Sequence, residues 1–203
     1  MHPRQHAYRA GKLTESALHQ LVGRIEKALD AKEYALGIFF NIEGAFDNTP
    51  MTATATALDD WKIHRSVKNW IRTLIGRKQV CVKTEHILIT ATTNRGLPQG
   101  GGLSPTLWSA VADSLVKWLS KQGVLVQGYD DDGVILIIGR EIAQRILRGI
   151  EKWCQSWSLA VNPGKSEMVL FTRRYKIEGF KTINFYNQEL VHTGQVKYLW
   201  SYT

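Results

Sequence analysis

Cysteine is scarce in this 203-residue chain, and no group of cysteines and histidines has the spacing of a zinc site. Cys81 and Cys154 lie far apart and the six histidines are scattered, so we expect neither a disulfide framework nor zinc. Apolar runs are too short to span a membrane, and the first residues lack the apolar core of a signal peptide. These absences predict an intracellular protein that is neither secreted nor inserted in a membrane.

Acidic residues are also in deficit. The chain has 18 acidic and 26 basic residues, which gives a formal charge of +8 and a pI near 9.5. This balance suits a partner with a phosphate backbone, although many basic surfaces are merely solvated. An apolar content of 44%, with seven Trp and seven Tyr, is ample for a buried core in one large domain or two small ones.

The most informative stretch is residues 126–138, where two apolar runs flank Asp130, Asp131 and Asp132. The second run is rich in β-branched residues, so the pattern predicts a strand, a tight turn and a second strand. Adjacent carboxylates repel one another unless a cation joins them, and a divalent metal with oxygen ligands is the usual one. From these residues alone a solvated hairpin turn at Asp132-Gly133, without a metal, stays open as the alternative.

Two other stretches carry polar groups in places that suit function. Residues 34–42 predict a buried strand, and Asn41 is a polar intrusion near its carboxyl end. Residues 94–105 form a Gly/Pro loop before a predicted helix at 106–121, and the loop fits no Walker or dinucleotide pattern. The other predicted helices are at 14–32, capped by Thr14, within 43–60 after a turn, at 66–77 and at 140–157. The other predicted strands are at 79–83, 87–92 and 167–172, with short strands in 173–203.

In this order, the blocks of sequence resemble the reverse transcriptases of non-LTR retrotransposons. The likeness runs from about Gln5 to Trp200. The matching blocks are a fingers segment at 5–9 with Thr14, a first catalytic block at 39–47, a second at 95–105, the Tyr-Ala-Asp-Asp block at 128–132, a lysine turn at 162–165 and a primer-grip region at 196–199.

The resemblance implies an α+β polymerase palm, an antiparallel sheet with helices packed on one face. Residues 1–32 would be a partial fingers segment, 33–173 the palm, and 174–203 the end of the palm and the primer grip, truncated before a thumb. The implied activity is RNA-directed DNA polymerisation, in which dNTPs are added to a primer 3′-hydroxyl with two Mg²⁺ ions, or Mn²⁺. The implied partners are an RNA template and a DNA primer, with the parent's endonuclease and thumb regions lost, and the implied location is the nucleus or cytoplasm.

The same resemblance assigns the site residues. Asp131 and Asp132 would bind the ions, together with residue 41 and the backbone carbonyl of Ile42. Lys165 would be the general acid for the departing pyrophosphate. The implied substrate-binding residues are Phe46 under the incoming sugar, Gln99 and Gly100 near the template base and nucleotide, Tyr129 beside the acids, and Arg9 and Lys12 near the triphosphate.

Two residues depart from the family pattern. Asn41 stands where the family has its first Asp, and a neutral amide cannot bridge two cations as a carboxylate does. We therefore expect the barrier to polymerisation to rise by about several kcal/mol, which lowers the rate by at least about a thousandfold. Asp130 replaces a small residue, and strand alternation predicts that it points away from Asp131, where it would repel phosphates. Asp47 matches an acid that is not a metal ligand in the family.

The sequence leaves three alternative interpretations of the function. The chain could be a nucleic-acid-binding module without catalysis, in which the basic charge and the aromatic residues hold a template. It could be an unstable fragment of a decayed element, with Trp and Phe left exposed. A different nucleotide enzyme on a similar palm, such as a nucleotide cyclase, is disfavoured by the Gly-Leu-Pro-Gln-Gly sequence at residues 96–100.

Overall fold

The computed structural model describes residues 1–76, 78–85, 87–138, 142–173, 183–196 and 198. The helices are α1 (Thr14–Asp30), α2 (Ala45–Asn48), α3 (Met51–Asp60), α4 (Arg65–Ile75), α5 (Ser104–Lys121) and α6 (Ala143–Ser156), with a 3₁₀ turn at Pro163–Lys165. The strands are β1 (Ala35–Asn41), β2 (Lys78–Lys83), β3 (Leu88–Thr93), β4 (Leu125–Tyr129), β5 (Asp132–Ile138), β6 (Glu167–Phe171), β7 (Asn184–Phe185), β8 (Gln188–Glu189) and β9 (Val191–His192).

The main sheet has the order β4-β5-β1-β6-β9. Strand β1 lies at its centre and pairs antiparallel with both β5 and β6, whereas β6 and β9 pair in parallel. The hairpin β2–β3 is a separate two-stranded sheet, as is the short pair β7–β8. This mixed arrangement of helices with an antiparallel-rich sheet is the α+β architecture that the sequence predicts.

Both faces of the sheet are covered, which explains the continuous apolar run of β1. Leu36, Ile38 and Phe40 belong to the larger core, which also includes the buried residues of α3, α4, α5 and α6. Ala35 and Phe39, on the other face, pack with α1 in a second cluster. Helix α1, which the sequence assigned to the fingers segment, therefore covers the face of the palm sheet opposite the other helices.

The start of α1 differs from the sequence prediction. Thr14 was expected to cap the helix, but it is the first helical residue and Leu13 precedes the helix. The backbone N–H of Leu13 donates to Ser16 Oγ at 3.1 Å, so the hydroxyl of a serine in the first turn satisfies this N–H group. Thr14 as a cap was a wrong prediction, because the capping role depends on where the preceding loop enters the helix.

Several predictions fall partly outside the described residues. Of the primer-grip block at 196–199, only Val196 and Tyr198 are described, and Arg140 at the predicted start of α6 is not. Within 173–203 the short predicted strands are represented by β7, β8 and β9. In the part of the chain that the structure describes, no helix is long and apolar enough to cross a membrane.

Asp113 of α5 ties three parts of the chain together. Its buried carboxylate accepts hydrogen bonds from the backbone N–H of His2 at 2.5 Å and from Trp61 Nε1 at 3.3 Å, and it pairs with Lys117 Nζ at 2.8 Å. Burial by itself would raise the pKa of Asp113. The bonds from Lys117, His2 and Trp61 outweigh burial and hold that pKa below its ordinary value.

Replacing Asp113 tests this junction. We expect Asp113→Asn to lower the free energy of unfolding at pH 7 by about 1–3 kcal/mol, because charge-assisted bonds become neutral ones. The folded pKa is depressed, so this contribution is present above the ordinary carboxyl value of about 4 and is lost as the pH falls through the folded pKa. Urea unfolding of both proteins at several pH values measures it.

A matched control is Asp60→Asn, since Asp60 is an exposed carboxylate at the end of α3. Its effect is expected to stay within about 0.5 kcal/mol. The role assigned to Asp113 would be wrong if the two substitutions had equal effects, or if the Asp113 difference were unchanged between neutral and strongly acidic pH.

Candidate active site

The acidic hairpin ends at the tip of the central sheet. Tyr129 pairs with Asp132 across β4 and β5, so Asp130 and Asp131 form the two-residue loop. Asp130 has a φ of 58°, in the left-handed region that Asp tolerates in tight turns. The alternative turn at Asp132-Gly133 is therefore wrong, because both of these residues lie within β5.

The register of β1 places Asn41 directly opposite Asp132. The side-chain nitrogen Nδ2 of Asn41 donates to Asp131 Oδ2 at 2.8 Å and to Asp132 Oδ1 at 3.0 Å. An amide nitrogen carries two hydrogens and can serve two acceptors, whereas the amide oxygen would face two other acceptors and be repelled. Asn41 thus joins the two carboxylates by hydrogen bonds where the family resemblance expects a carboxylate and cations.

The environment of Asp132 opposes its ionisation. Burial is the largest influence and raises the pKa of Asp132, and the charge of Asp131 raises it further. The hydrogen bond from Asn41 and the positive charge of Lys165 act in the opposite direction but do not cancel the rise. The amide and the lysine therefore compensate only part of the cost of holding these acids together.

The lysine turn is attached to the end of β1. The backbone N–H of Asn162 donates to the carbonyl of Asn41 at 2.9 Å, and Ile42 forms an antiparallel bridge with Val161. The N–H of Ile42 donates to the carbonyl of Asp131 at 2.9 Å. Residues 41, 42, 131 and the turn at 162–165, which are far apart in sequence, are therefore held within one hydrogen-bonded network.

A cleft of about 140 Å³ opens beside Asp132, and Lys165 and Tyr198 line it. The hydroxyl of Tyr198 is buried and finds no hydrogen-bond partner among the described residues. Burial, followed by the charge of Asp132, raises the pKa of Tyr198. Its ring meets Phe39 edge to face, with centroids 5.2 Å apart. The structure thus brings the lysine turn and the described part of the primer-grip block to the same cleft as Asp132.

Asp130 is held by residues that the sequence reasoning did not connect to it. Tyr8 Oη donates to Asp130 Oδ2 at 2.8 Å, and Trp108 Nε1 donates to the backbone carbonyl of Asp130 at 2.7 Å. The expectation from strand alternation does not apply, because Asp130 lies in the loop. Tyr8 stands in the fingers block of the resemblance, but no local pattern indicated that its hydroxyl would reach the acidic turn.

The Gly/Pro loop lies against α2, the short helix that follows β1. Gln99 Nε2 donates to both carboxylate oxygens of Asp47 at 3.1 Å each, and the N–H of Leu97 donates to the carbonyl of Phe46 at 2.8 Å. Gly96 has a φ of +86°, and a Cβ there would lie 3.0 Å from the Asp47 carbonyl oxygen. The two catalytic blocks of the resemblance are therefore in direct contact.

The remaining candidates for substrate binding are Phe46, Gly100, Arg9 and Lys12. Phe46 is half-buried against Trp108, with ring centroids 6.4 Å apart, and Gly100 is exposed. Arg9 Nη1 donates to the carbonyl of His2 at 3.0 Å, so this guanidinium also supports the N-terminal segment. Burial is the main cause that lowers the pKa of the His6 imidazole. The positive charge of Lys12 is the second cause and that of Arg9 is the third.

The acids present do not fit the pair of ions that the resemblance implies. Within the described ranges no three His, Cys, Asp or Glu side chains come together as a metal-binding group. One element supplies Asp131 and Asp132, and the facing element supplies a neutral amide that donates to both. Turning the amide to offer its oxygen to a cation would break both hydrogen bonds and add no negative charge.

Comparisons with known proteins agree with the family resemblance. The family model "Reverse transcriptase (RNA-dependent DNA polymerase)" matches residues 1–199. The chain is 28% identical over 209 residues to the RNA-directed DNA polymerase from mobile element jockey of Drosophila funebris, covering 96% of this chain and 22% of that protein. It is 26% identical over 203 residues to the Pol polyprotein from type-1 retrotransposable element R1 of Bradysia coprophila, covering 97% and 20%. The chain thus spans about a fifth of the length of these relatives.

Solved structures show the same fold. Apo telomerase from Candida tropicalis superposes with a TM-score of 0.65 at 12% identity, covering 87% of this chain and 35% of that one. Telomerase from Candida albicans in complex with a TWJ fragment of telomeric RNA gives a TM-score of 0.56 at 14% identity, covering 92% and 34%. These likenesses confirm the predicted α+β palm fold.

Replacing Asn41 by Asp tests the amide bridge directly. We expect Asn41→Asp to lower the free energy of unfolding in EDTA by about 1–3 kcal/mol, because two hydrogen bonds are lost and a further carboxylate is added beside Asp131 and Asp132. Millimolar Mg²⁺ or Mn²⁺ should then stabilise the variant more than the original chain, since an ion that binds only the folded state shifts the unfolding equilibrium. Thermal melts with and without metal measure both effects.

Asn69→Asp is the control, because it adds the same charge on the exposed surface of α4. It should change stability by no more than about 0.5 kcal/mol and should show no added metal response. If Asn41→Asp is as stable as the original chain in EDTA and indifferent to metal, the bridge between the two carboxylates is wrong.

Proposed function

The chain belongs to the reverse transcriptase family, and from that premise we propose that it is an RNA-directed DNA polymerase domain of a non-LTR retrotransposon in which nucleotidyl transfer is severely impaired. The observation that carries the proposal is the amide of Asn41, which donates to Asp131 and Asp132 at 2.8 and 3.0 Å. The proposed partners are an RNA template, a DNA primer and dNTPs.

The family reaction explains why this contact matters. Joining a nucleotide to a primer 3′-hydroxyl with two divalent ions requires carboxylates from two separate elements around those ions. This chain presents Asp131 and Asp132 from one hairpin and an amide from β1. The site is therefore short by one negative charge, and a loss of several kcal/mol in transition-state stabilisation corresponds to roughly a thousandfold in rate.

Other residues keep arrangements that suit template and nucleotide. We assign Lys165 to proton donation toward pyrophosphate, and its position in the cleft beside Asp132 supports this. The contact of Gln99 with Asp47 and the carbonyl contact of Phe46 keep the loop near the end of β1. We also assign Gly100 and Tyr129 to substrate binding, the backbone carbonyl of Ile42 to metal binding, and Arg9 and Lys12 to the region of the triphosphate.

Asp130 adds a second defect in this proposal. Burial raises its pKa, and the charges of Asp131 and Asp132 raise it further, whereas the Tyr8 hydroxyl acts in the opposite direction. A third carboxyl group at the tip would repel the phosphates of a primer or nucleotide when ionised. Its bond to Tyr8 also ties the N-terminal segment to the hairpin loop.

A binding module without catalysis is the second candidate function. The observation that favours it is the formal charge of +8, which suits a polynucleotide, together with an amide at residue 41 that donates to the acids and adds no negative charge for a cation. The unstable-fragment alternative receives less support. Among the described Trp and Phe residues only Trp70 is exposed, and the others are buried or half-buried.

Primer extension on an RNA template, with Mg²⁺ or Mn²⁺, distinguishes these functions. We expect the original chain to be at least about a thousandfold slower than Asn41→Asp, because the substitution restores the missing carboxylate. Adding Asp130→Ala to Asn41→Asp should raise the rate further by removing a charge that repels phosphate. Asn69→Asp, which adds a charge outside the site, should leave the rate unchanged.

Synthesis by the original chain at the rate of Asn41→Asp would contradict the impairment, and another carboxylate would then have to complete the site. Absence of synthesis by every variant, together with retained RNA binding, would favour the binding module. Absence of both synthesis and cooperative unfolding would favour the unstable fragment.

A further inference from the structure

The N-terminal segment, residues 1–12, is held along β4, which is an edge strand of the main sheet. Gln5 forms a parallel bridge with Gly128, and the N–H of His6 donates to the Gly128 carbonyl at 3.0 Å. The N–H of Gly128 in turn donates to the carbonyl of Arg4 at 3.2 Å. The side chain of Gln5 donates to a backbone carbonyl of α5 at 2.9 Å. The segment therefore extends the sheet beyond β4 and also rests on α5.

The imidazole of His6 lies in the protein interior, where the residue is only 1% exposed. Neither of its ring nitrogens has a hydrogen-bond partner among the described residues. The side-chain amide of Gln127 in β4 is also buried and likewise lacks a partner in the described part of the chain. A buried imidazole in such surroundings is far more stable when neutral, because a proton would add a full charge that no acceptor solvates.

Strand alternation puts His6 and Gln127 on the same face of the sheet. Gln5 points toward α5, and a Cβ on Gly128 would point the same way, since it would lie 4.0 Å from Gln5 Cγ. The residues next to this bridged pair therefore point to the opposite face. Val134, which pairs with Gln127, belongs to the apolar cluster that α1 covers on that face. Two unpartnered polar side chains thus face an apolar layer.

The charges that act on His6 are both positive. Burial is the largest cause that lowers the pKa of His6, and the charges of Lys12 and Arg9 follow in that order. No carboxylate acts to raise that pKa. The other ionisable side chains of the adjoining elements are Glu15 and His19 of α1, which are exposed, Tyr129 of β4, and Asp113 of α5, whose carboxylate bonds to His2, Trp61 and Lys117.

We propose that His6 makes the attachment of the N-terminal segment to β4 sensitive to protons, so that a protonated imidazole releases the segment from the sheet. In the closed state the segment is bound to β4 and the imidazole is buried, whereas in the open state water solvates the imidazolium. Tyr8 Oη donates to Asp130 Oδ2 at 2.8 Å, so release also removes this contact from the acidic turn. The proposal concerns the folded chain and does not depend on polymerisation.

The sign of the pH dependence follows from proton linkage. The pKa of His6 is lowered in the closed state and returns to about 6.5 in the open state. Closure is therefore fully favoured above about pH 6.5, and its equilibrium constant falls about tenfold for each unit of pH below that value until the pH reaches the lowered pKa. The pKa of Asp113 lies below its ordinary value, so this carboxylate stays ionised over the range of the test.

The test is hydrogen exchange of the full chain between about pH 7.5 and 5, with each protection factor referred to the intrinsic exchange rate at that pH. In peptides from residues 1–12, the logarithm of protection should fall by about one for each pH unit below about 6.5, because opening takes up one proton. Peptides from β1 should keep their protection, since the sheet stays folded.

Substitutions at residue 6 isolate the imidazole. His6→Gln and His6→Asn take up no proton, so either variant should lower the pH slope by about one. His19→Gln, on the exposed surface of α1, is the matched control and should keep the slope of the original chain. His2 lies in the same segment and its pKa is also lowered, chiefly by burial, so His2→Gln should remove a smaller part of the slope than His6→Gln.

Equal protection of residues 1–12 at both ends of the pH range would overturn the proposal. A slope that persists in the variants at residue 6 would assign the sensitivity to another group. Loss of protection in β1 at the same pH would show general acid unfolding instead of release of one segment. If neither variant folds, NMR titration of the original chain decides, because the His6 ring signal must titrate where protection is lost. No nucleic acid, metal or dNTP is present, so failed primer extension leaves this test intact.

Discussion

The pairing of β1 with β5 is the constraint on which the rest of the site depends. Its register places Asn41 opposite Asp132 and puts Asp131 in the loop next to both. A shift of one residue would turn every side chain of β1 to the other face, so the two buried cores on either side of the sheet fix this register. The geometry of the acids is therefore a consequence of packing far from the acids themselves.

At the tip of the sheet, repulsion between carboxylates must be compensated locally. In this chain the compensation comes from the Asn41 amide, from the charge of Lys165 and, for Asp130, from the Tyr8 hydroxyl. The Asn41 and Tyr8 groups carry no charge, and the charge of Lys165 does not cancel the effect of burial. The pKa values of Asp130 and Asp132 therefore remain above their ordinary value. The tip of the palm sheet thus carries carboxyl groups whose ionisation is opposed by burial and by their neighbouring charges.

The contacts between blocks hold the palm together independently of the Asn41 side chain. Gln99 contacts Asp47, the lysine turn bonds to the end of β1, and Asp113 joins the N-terminal segment to α5 and to the end of α3. None of these contacts involves the Asn41 side chain. A single substitution at residue 41 can therefore change the chemistry of the tip without removing the interactions that hold the fold.

The amino-acid sequence by itself determined most of the element types, because apolar periodicity is a local property. The order of the blocks and the departure at Asn41 were predicted from it through the family resemblance. It also indicated that Asp131 and Asp132 share a site. Only the tertiary structure decided that the Asn41 amide donates to both acids, that Asp130 lies in the loop and bonds to Tyr8, and that α1 covers the second face of the sheet. These outcomes depend on strand register, loop conformation and contacts between distant residues, which no local pattern encodes.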